Sequence, residues 1–469
     1  MPLKNALRCK FRQRDTMIKV IIAGQVTIKG LSDVQKERIK LNLTFDNPQY
    51  AQAKRAGRYI GSIDPYVYFW DVTGSNLHVP RGYLNNLLNK HLKDIDYEIT
   101  DRTICPKIKI KWTGELRDYQ ELAVADMVKI RYAVLEADTG AGKTVCGVGI
   151  TALRGVKTLV IVHNKELLQQ WIEAFNKFTN IKDVGVIGDG QYNIQDVTIG
   201  IINSVNIHKN ELKDEFGHVI CDECHRSIST MWLAVLKTLK PKYQIGVSAT
   251  PFRNNKTTQA IFCVVGPKQH KVSSTHLRDS GAVLVPDILR IPTDYWFDFD
   301  PGRKGCDYTS MLSELTTDQA RTQLVVDLII QDIKTYKEPV MVVSDRVAHC
   351  ELIHSKLFDV PEVRSIVLSS QVPSPMRKKL VRQIKDGTAN CLIATLNLLG
   401  EGFDAPHLSA AFLTTPIKFR GRLIQIIGRV LRPSKGCKPR VYDLRDNRIK
   451  VLLGSGRSRD SVYKDKGWE

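Results

Sequence analysis

The octapeptide Ala137-Asp138-Thr139-Gly140-Ala141-Gly142-Lys143-Thr144 constrains this chain more than any other stretch. It follows the apolar run Ala133-Val134-Leu135 and leads into the helix-compatible Val145-Cys146-Gly147-Val148. A strand, a glycine-rich loop and a helix in that order turn backbone N–H groups inward at a helix N-terminus, where an anion is favoured. In this A-x-x-G-x-G-K-T form of the phosphate-binding loop, Gly140 and Gly142 let the backbone turn, with Thr139 and Ala141 beside them. Lys143 neutralises β- and γ-phosphate oxygens, and Thr144 offers a hydroxyl to Mg²⁺. ATP and Mg²⁺ are the expected cofactors.

Seventy-nine residues beyond Lys143, the apolar strand Val219-Ile220-Cys221 ends in Asp222-Glu223-Cys224-His225. Two carboxylates there suit phosphoryl transfer: Asp222 to hold the Mg²⁺ shell and Glu223 to polarise the attacking water. Cys221-x-x-Cys224-His225 also matches a haem-attachment pattern or half of a zinc site. No export signal and no second Cys-x-x-Cys support either, so neither haem nor zinc is expected. The ten cysteines, scattered through 469 residues, read as reduced thiols.

A length of 469 residues predicts two to three domains. Strand-like alternation and turns fill residues 1–112, which read as a separate small α+β unit. It carries 20 Lys/Arg against 10 Asp/Glu, half of the chain's net charge of +20. β-Branched runs alternating with helical stretches such as Lys165 to Phe178 predict βαβ units around a parallel sheet over 113–285. A second such set begins near Pro339, so 286–469 reads as a connection, rich in Pro and Gly up to about Thr317, followed by another parallel-sheet domain. The overall excess of cations points to a polyanion, because each neutralised phosphate releases condensed counterions. No apolar run is long enough to cross a membrane. The chain is expected in the cytoplasm, with a monomer plausible.

Some features read as structural. The aromatic strand Tyr66, Tyr68, Phe69 and Trp70 is expected in a core rather than as a base-stacking platform, and His163 and His349 as packing residues. A basic tail of ten cations from Lys435 to Lys466 reads equally as a solvated face or a DNA contact.

The phosphate loop, Asp222-Glu223-Cys224-His225, Ser248-Ala249-Thr250-Pro251 and Gln425-x-x-Gly428-Arg429-x-x-Arg432 resemble, in order and spacing, the motifs of superfamily 2 helicases. Leu116-Arg117-Asp118-Tyr119-Gln120 is similar to the family's adenine-reading segment, which implies Arg117 and Gln120 at the base. Ala394-Thr395 with Gly400-Glu401-Gly402-Phe403-Asp404 resembles the motif that couples nucleotide to nucleic acid, implying roles for Thr395, Gly402 and Asp404. Within the superfamily the chain resembles the phage UvsW and XPB-type DNA helicases along nearly its whole length, including Arg55-x-Gly57-Arg58 near the amino terminus. Departures are His163-Asn164 for the usual Pro-Thr and Ile201-Ile202-Asn203-Ser204 in the next motif.

The resemblance implies two tandem RecA-like domains preceded by a small α+β domain. Nucleic-acid or coupling contacts are then implied at Asn164, Ser204, Ser248, Thr250, Thr395, Arg55 and Arg58. Gln425, Arg429 and Arg432 lie nearly 290 residues beyond Lys143, so they reach ATP only across an interdomain cleft. The reading is an ATP-dependent helicase or translocase on forked or branched DNA. Its rivals are an RNA helicase with the same motor and an ATP-gated clamp without motor action.

Overall fold

The computed structural model describes residues 17–55, 59–138, 140–249, 258–272, 284–303, 305–399, 408–431 and 438–469. Near the amino terminus, β1 (Ile18–Ile22) and β2 (Val26–Lys29) pair antiparallel, and alternate residues of β1 are buried. α1 (Asp33–Asn42) begins with a reciprocal cap: the Ser32 hydroxyl accepts the Gln35 N–H while the Gln35 side chain accepts the Ser32 N–H. β3 (Thr44–Asp46) pairs across α2 (Pro48–Arg55) with β4 (Tyr66–Tyr68). β5 (Asp71–Thr73) and β6 (Asn76–Val79) follow, then helical turns that include α3 (Leu84–Asn86), then β7 (Tyr97–Asp101). The resulting sheet has the order β5-β6-β2-β1-β7.

The aromatic strand departs in part from its expected place in the core. Phe69 is buried, but Tyr66 and Tyr68 stay 48% and 45% exposed. Successive residues of a strand point to opposite faces, and only one face of this ribbon is covered. Trp70 is half-buried, its indole N–H donating to Thr44 Oγ1 and the Lys40 ammonium lying over its ring.

The first large domain runs through α4 (Asp118–Val128), β8 (Tyr132–Ala137), α5 (Lys143–Arg154), β9 (Thr158–Val162), α6 (Lys165–Phe178), β10 (Gly185–Gly188) and β11 (Gln191–Asn193). It continues with β12 (Val197–Ile201), α7 (Ile202–His208), β13 (His218–Asp222), α8 (Thr230–Thr238), β14 (Tyr243–Ser248), α9 (Thr258–Val264) and β15 (Lys268–Val272). The strands lie in the order β11-β10-β12-β9-β13-β14-β8-β15, parallel except for β11. Strands β8, β9 and β13 are buried from end to end, as continuous apolar runs in a two-faced sheet require.

The second large domain comprises β16 (Asp287–Pro292), α10 (Tyr308–Leu315), α11 (Gln319–Tyr336), β17 (Val340–Ser344), α12 (Val347–Leu357), β18 (Ser365–Leu368) and α13 (Ser374–Lys385). After these come β19 (Cys391–Thr395), α14 (Leu396–Leu399), β20 (Ala410–Leu413), α15 (Arg420–Val430), β21 (Arg440–Arg445) and α16 (Lys450–Lys466). Its six parallel strands are ordered β16-β21-β20-β17-β19-β18.

Two expectations change here. Part of the supposed connection is the edge strand β16, ending in Pro292. Proline, which cannot donate to a ladder, is tolerated at such an edge. The basic tail is neither a solvated face nor a free contact over much of its length. Arg440 is buried against Asp332 at 2.7 Å, and Arg459 and Arg445 are buried against Asp443.

The amino-terminal sheet and the first large domain share one core. Ile28, Leu77 and Val79 belong to the same buried cluster as Leu159, Val219 and Trp232. A second cluster runs from Met127 and Trp171 in the first large domain to Ile427 and Tyr463 in the second. Among the described residues no helix is long and apolar enough to cross a membrane.

Candidate active site

Parallel α/β sheets bind ligands at the carboxyl ends of their strands, and that edge of the first large domain gathers its chemistry. β8 ends at Ala137 and opens into the phosphate loop; β13 ends at Asp222; β14, between them, ends at Ser248. Gly140 and Gly142 both take positive φ, 91° and 77°. Gly142 is also held by space, because a Cβ there would come within 2.4 Å of Gln120 Nε2. Lys143 and Thr144 open helix α5 directly behind that turn.

Gln120 is buried and packs on the loop: Nε2 donates to the Ala141 carbonyl at 3.0 Å and Oε1 accepts the Arg117 N–H at 3.0 Å. The Arg117 guanidinium donates to the Tyr119 hydroxyl.

Asp222 is buried, its Oδ2 accepting from the Trp171 indole at 2.9 Å and its Oδ1 from the Glu223 N–H at 2.9 Å. Burial and the adjacent Glu223 carboxylate push its carboxyl above the usual range, against the pull of the Trp171 bond and Lys143. Glu223 goes the other way. Burial would raise it, yet the bond to His225, the charge of Lys143 and the Ser248 hydroxyl together hold it well below the usual range. Ser248 Oγ–H donates to Glu223 Oε2 at 3.1 Å, and His225 Nδ1 lies 3.3 Å from the same oxygen. Glu223 also sits in the left-handed region, φ 48° and ψ 55°, a costly conformation for a residue with a Cβ and one that recurs at functional sites. The arrangement presents an ionised carboxylate, fixed by two neighbours, beside a phosphate cradle.

Other expected residues fall as follows. Asn164 caps α6, its side chain accepting the Leu167 N–H. Ser204 is half-buried on α7, and Thr395 is buried at the end of β19 in the second domain. Gln425 and Arg429 stand four residues apart on α15, on one half-buried face. Thr139, Thr250, Gly402, Asp404, Arg432 and Arg58 lie outside the described residues, as does the side chain of Arg55. His349 packs as expected, bonded to Ser344. His163 instead borders the site: burial lowers its imidazole to about 4, with Arg226 pressing the same way and Glu223 opposing.

Three residues at this edge escape a reading of motifs. Trp171 and Gln170, from α6, reach Asp222 and Thr144; the Gln170 Nε2 to Thr144 Oγ1 distance is 3.4 Å. Lys466, in the last turn of α16, pairs with Asp138 of the phosphate loop at 2.5 Å, so the second large domain touches the loop directly.

Residues 113–253 match the family described as "Type III restriction enzyme, res subunit", and residues 320–434 match "Helicase conserved C-terminal domain". The chain belongs to the superfamily 2 helicases and is an ATP-hydrolysing helicase with two RecA-like domains. It is 24% identical over 375 residues to the DNA 3'-5' translocase XPB2 of Sulfurisphaera tokodaii, covering 72% of this chain and 83% of that protein. Among solved structures, S. cerevisiae Dbp5 bound to RNA and ADP BeF3 aligns at TM-score 0.53 and 15% identity, covering 83% of this chain and 92% of that one. T4 UvsW aligns over 96% and 97% of the two chains at 19% identity and TM-score 0.41.

Proposed function

We propose that this helicase acts on DNA, stepping along or separating the strands of forked or branched substrates. The observation that carries the motor assignment is the meeting of both large domains at one edge: Lys143, Asp222 and Glu223 from the first, and Lys466 from the second against Asp138. DNA as the substrate is supported by the likeness to XPB2 and by the net charge of +20.

Hard oxygen donors suit Mg²⁺, and the Thr144 hydroxyl and Asp222 carboxylate are such donors at this edge. Held by these two groups, Mg²⁺ would supply charge neutralisation at the phosphates. In this reading the N–H groups of residues 140–144 and the Lys143 ammonium bind phosphates, and Arg117 and Gln120 border the base. Glu223 orients the attacking water and accepts its proton. Gln425, Arg429 and Arg432 approach from the second domain to stabilise charge that develops on the γ-phosphate. Gly402 and Asp404 complete the nucleotide contacts. Asn164, Ser204, Ser248, Thr250 and Thr395 carry nucleotide state to the strand. Arg55 and Arg58 add amino-terminal contacts.

The test has two parts. Glu223→Gln should keep ATP binding and lose about 10²-fold or more of turnover; near wild-type hydrolysis in saturating DNA would remove Glu223 from that role. ATPase stimulation measured with forked DNA, linear duplex and RNA should be greatest with the fork. Greatest stimulation by RNA would replace the substrate assignment with the rival one.

A further inference from the structure

We infer that Trp171 is a positioning residue of the nucleotide site, whose indole holds the Asp222 carboxylate in the orientation that meets the metal. This rests on the reading of Asp222 as a metal-holding carboxylate. Trp171 has no exposed surface, and its Nε1–H donates to Asp222 Oδ2 at 2.9 Å. The other oxygen accepts the Glu223 N–H at 2.9 Å. Each carboxylate oxygen has two lone pairs, so these two bonds lock the group's rotation and still leave one acceptor direction on each oxygen.

The far edge of the indole is wedged under the helix that follows the phosphate loop. A Cβ at Gly147 would lie 2.5 Å from Trp171 Cη2, so glycine is what admits the ring. The ring therefore spans the distance between α5 and the end of β13. The preceding residue, Gln170, directs its amide at Thr144 Oγ1, 3.4 Å away. One helix, α6, thus supports both proposed oxygen donors through consecutive residues. Partners of this kind fix the direction of a metal ligand, and losing one commonly costs 10- to 100-fold in metal affinity or activity.

A buried indole also needs an acceptor simply to be satisfied, and the experiment separates that role from positioning. Trp171→Phe keeps an aromatic ring and deletes the donor. The positioning role predicts a folded variant whose Mg²⁺ requirement for half-maximal ATPase rises about 10-fold, with KM for ATP at saturating Mg²⁺ within about twofold. Binding of Mn²⁺ as a spin probe to the protein–ADP complex should weaken by the same factor, a readout independent of turnover. A lower melting temperature with unchanged Mg²⁺ dependence and Mn²⁺ affinity would overturn the inference. Asp222→Asn is the control: wild-type Mn²⁺ affinity in that variant would sink the metal reading of Asp222 itself, a different failure. Should Trp171→Phe not fold, ¹⁵N-tryptophan labelling of the wild-type protein decides. One indole N–H resonance must shift both on Asp222→Asn and on adding Mg²⁺ to the ADP complex; its absence refutes the contact.

Discussion

Where the amino-terminal sheet meets the first RecA-like domain, a guanidinium is sealed inside. Arg81 is 2% exposed and donates to the carbonyls of Leu239 and Leu236 at 2.6 and 3.0 Å, to Gln244 Oε1 at 2.6 Å and, more loosely, to the Ala23 carbonyl. Burial lowers it to about 10, so it remains charged at neutral pH. Backbones touch there as well: a Cβ at Gly24 would lie 2.0 Å from the Lys237 carbonyl, and one at Gly82 2.5 Å from the Gly266 nitrogen. Where the first domain meets the second, the ion pair Asp138–Lys466 crosses between them, and one of its members belongs to the phosphate loop. Among the described residues, Arg81 is held at Gln244, at the start of β14 and so at the end of that strand opposite the phosphate-loop edge. The second junction includes Asp138 of the phosphate loop, so on the proposed reading nucleotide binding should act on that joint rather than on the first.

The largest expected effect breaks the first joint. Arg81→Ala leaves buried carbonyls without a donor and should cost about 3–5 kcal/mol in urea unfolding. A fragment of residues 113–469 should aggregate, because it bares the shared cluster around Val219 and Trp232. A soluble fragment with wild-type basal ATPase would show that the amino-terminal unit is dispensable to the fold and would dissolve the contrast between the joints.

A smaller effect tests the second joint. Lys466→Met and Asp138→Asn should each broaden the distances measured between spin labels on the two RecA-like domains, and the double variant should do no more. The coupling energy from the cycle should be about 1 kcal/mol. Fully additive effects would mean that the pair does not join the domains.

The smallest effect asks whether the two bodies unfold apart. Burial holds His218, in the first domain, and His349, in the second, well below the ordinary imidazole value, with Arg154 and Arg321 pressing the same way. Their folded forms are neutral, so their contribution is intact above the unfolded value of about 6.5 and is lost as pH falls below it. At pH 5.5 each should cost about 1.4 kcal/mol. His218→Gln should relieve the acid sensitivity of one unfolding transition and His349→Gln that of the other. Equal action of both on one transition would mean a single cooperative body.

How much of this was legible follows from distance along the chain. The phosphate loop and Asp222-Glu223 are contiguous, so their chemistry shows in a single window of sequence. Trp171 and Asp222 are 51 residues apart, and Lys466 and Asp138 are 328 apart; nothing local marks either pair. The same blindness made Arg440 look solvated, since its partner Asp332 lies 108 residues upstream. Prolines disguised β16, because proline reads as a break although an edge strand admits it. Tyr66 and Tyr68 show the limit of composition: aromatic content says that a strand wants cover, not which face receives it.

Three thiols sit in or next to the elements that carry Lys143, Asp222 and Glu223: Cys146 on α5, Cys221 within β13 and Cys224 just past Glu223, all without exposed surface. Burial pushes Cys146 and Cys221 up to about 12 and raises Cys224 well above the ordinary thiol value. At pH 7 thiols raised in this way stay protonated, and the thiolate is the form that reacts. Among the described residues, peroxide and alkylating reagents therefore find no reactive thiolate next to Asp222 and Glu223. Maleimide dyes, by the same reasoning, should pass these three cysteines by and, among the described residues, label the partly exposed Cys105 and Cys306.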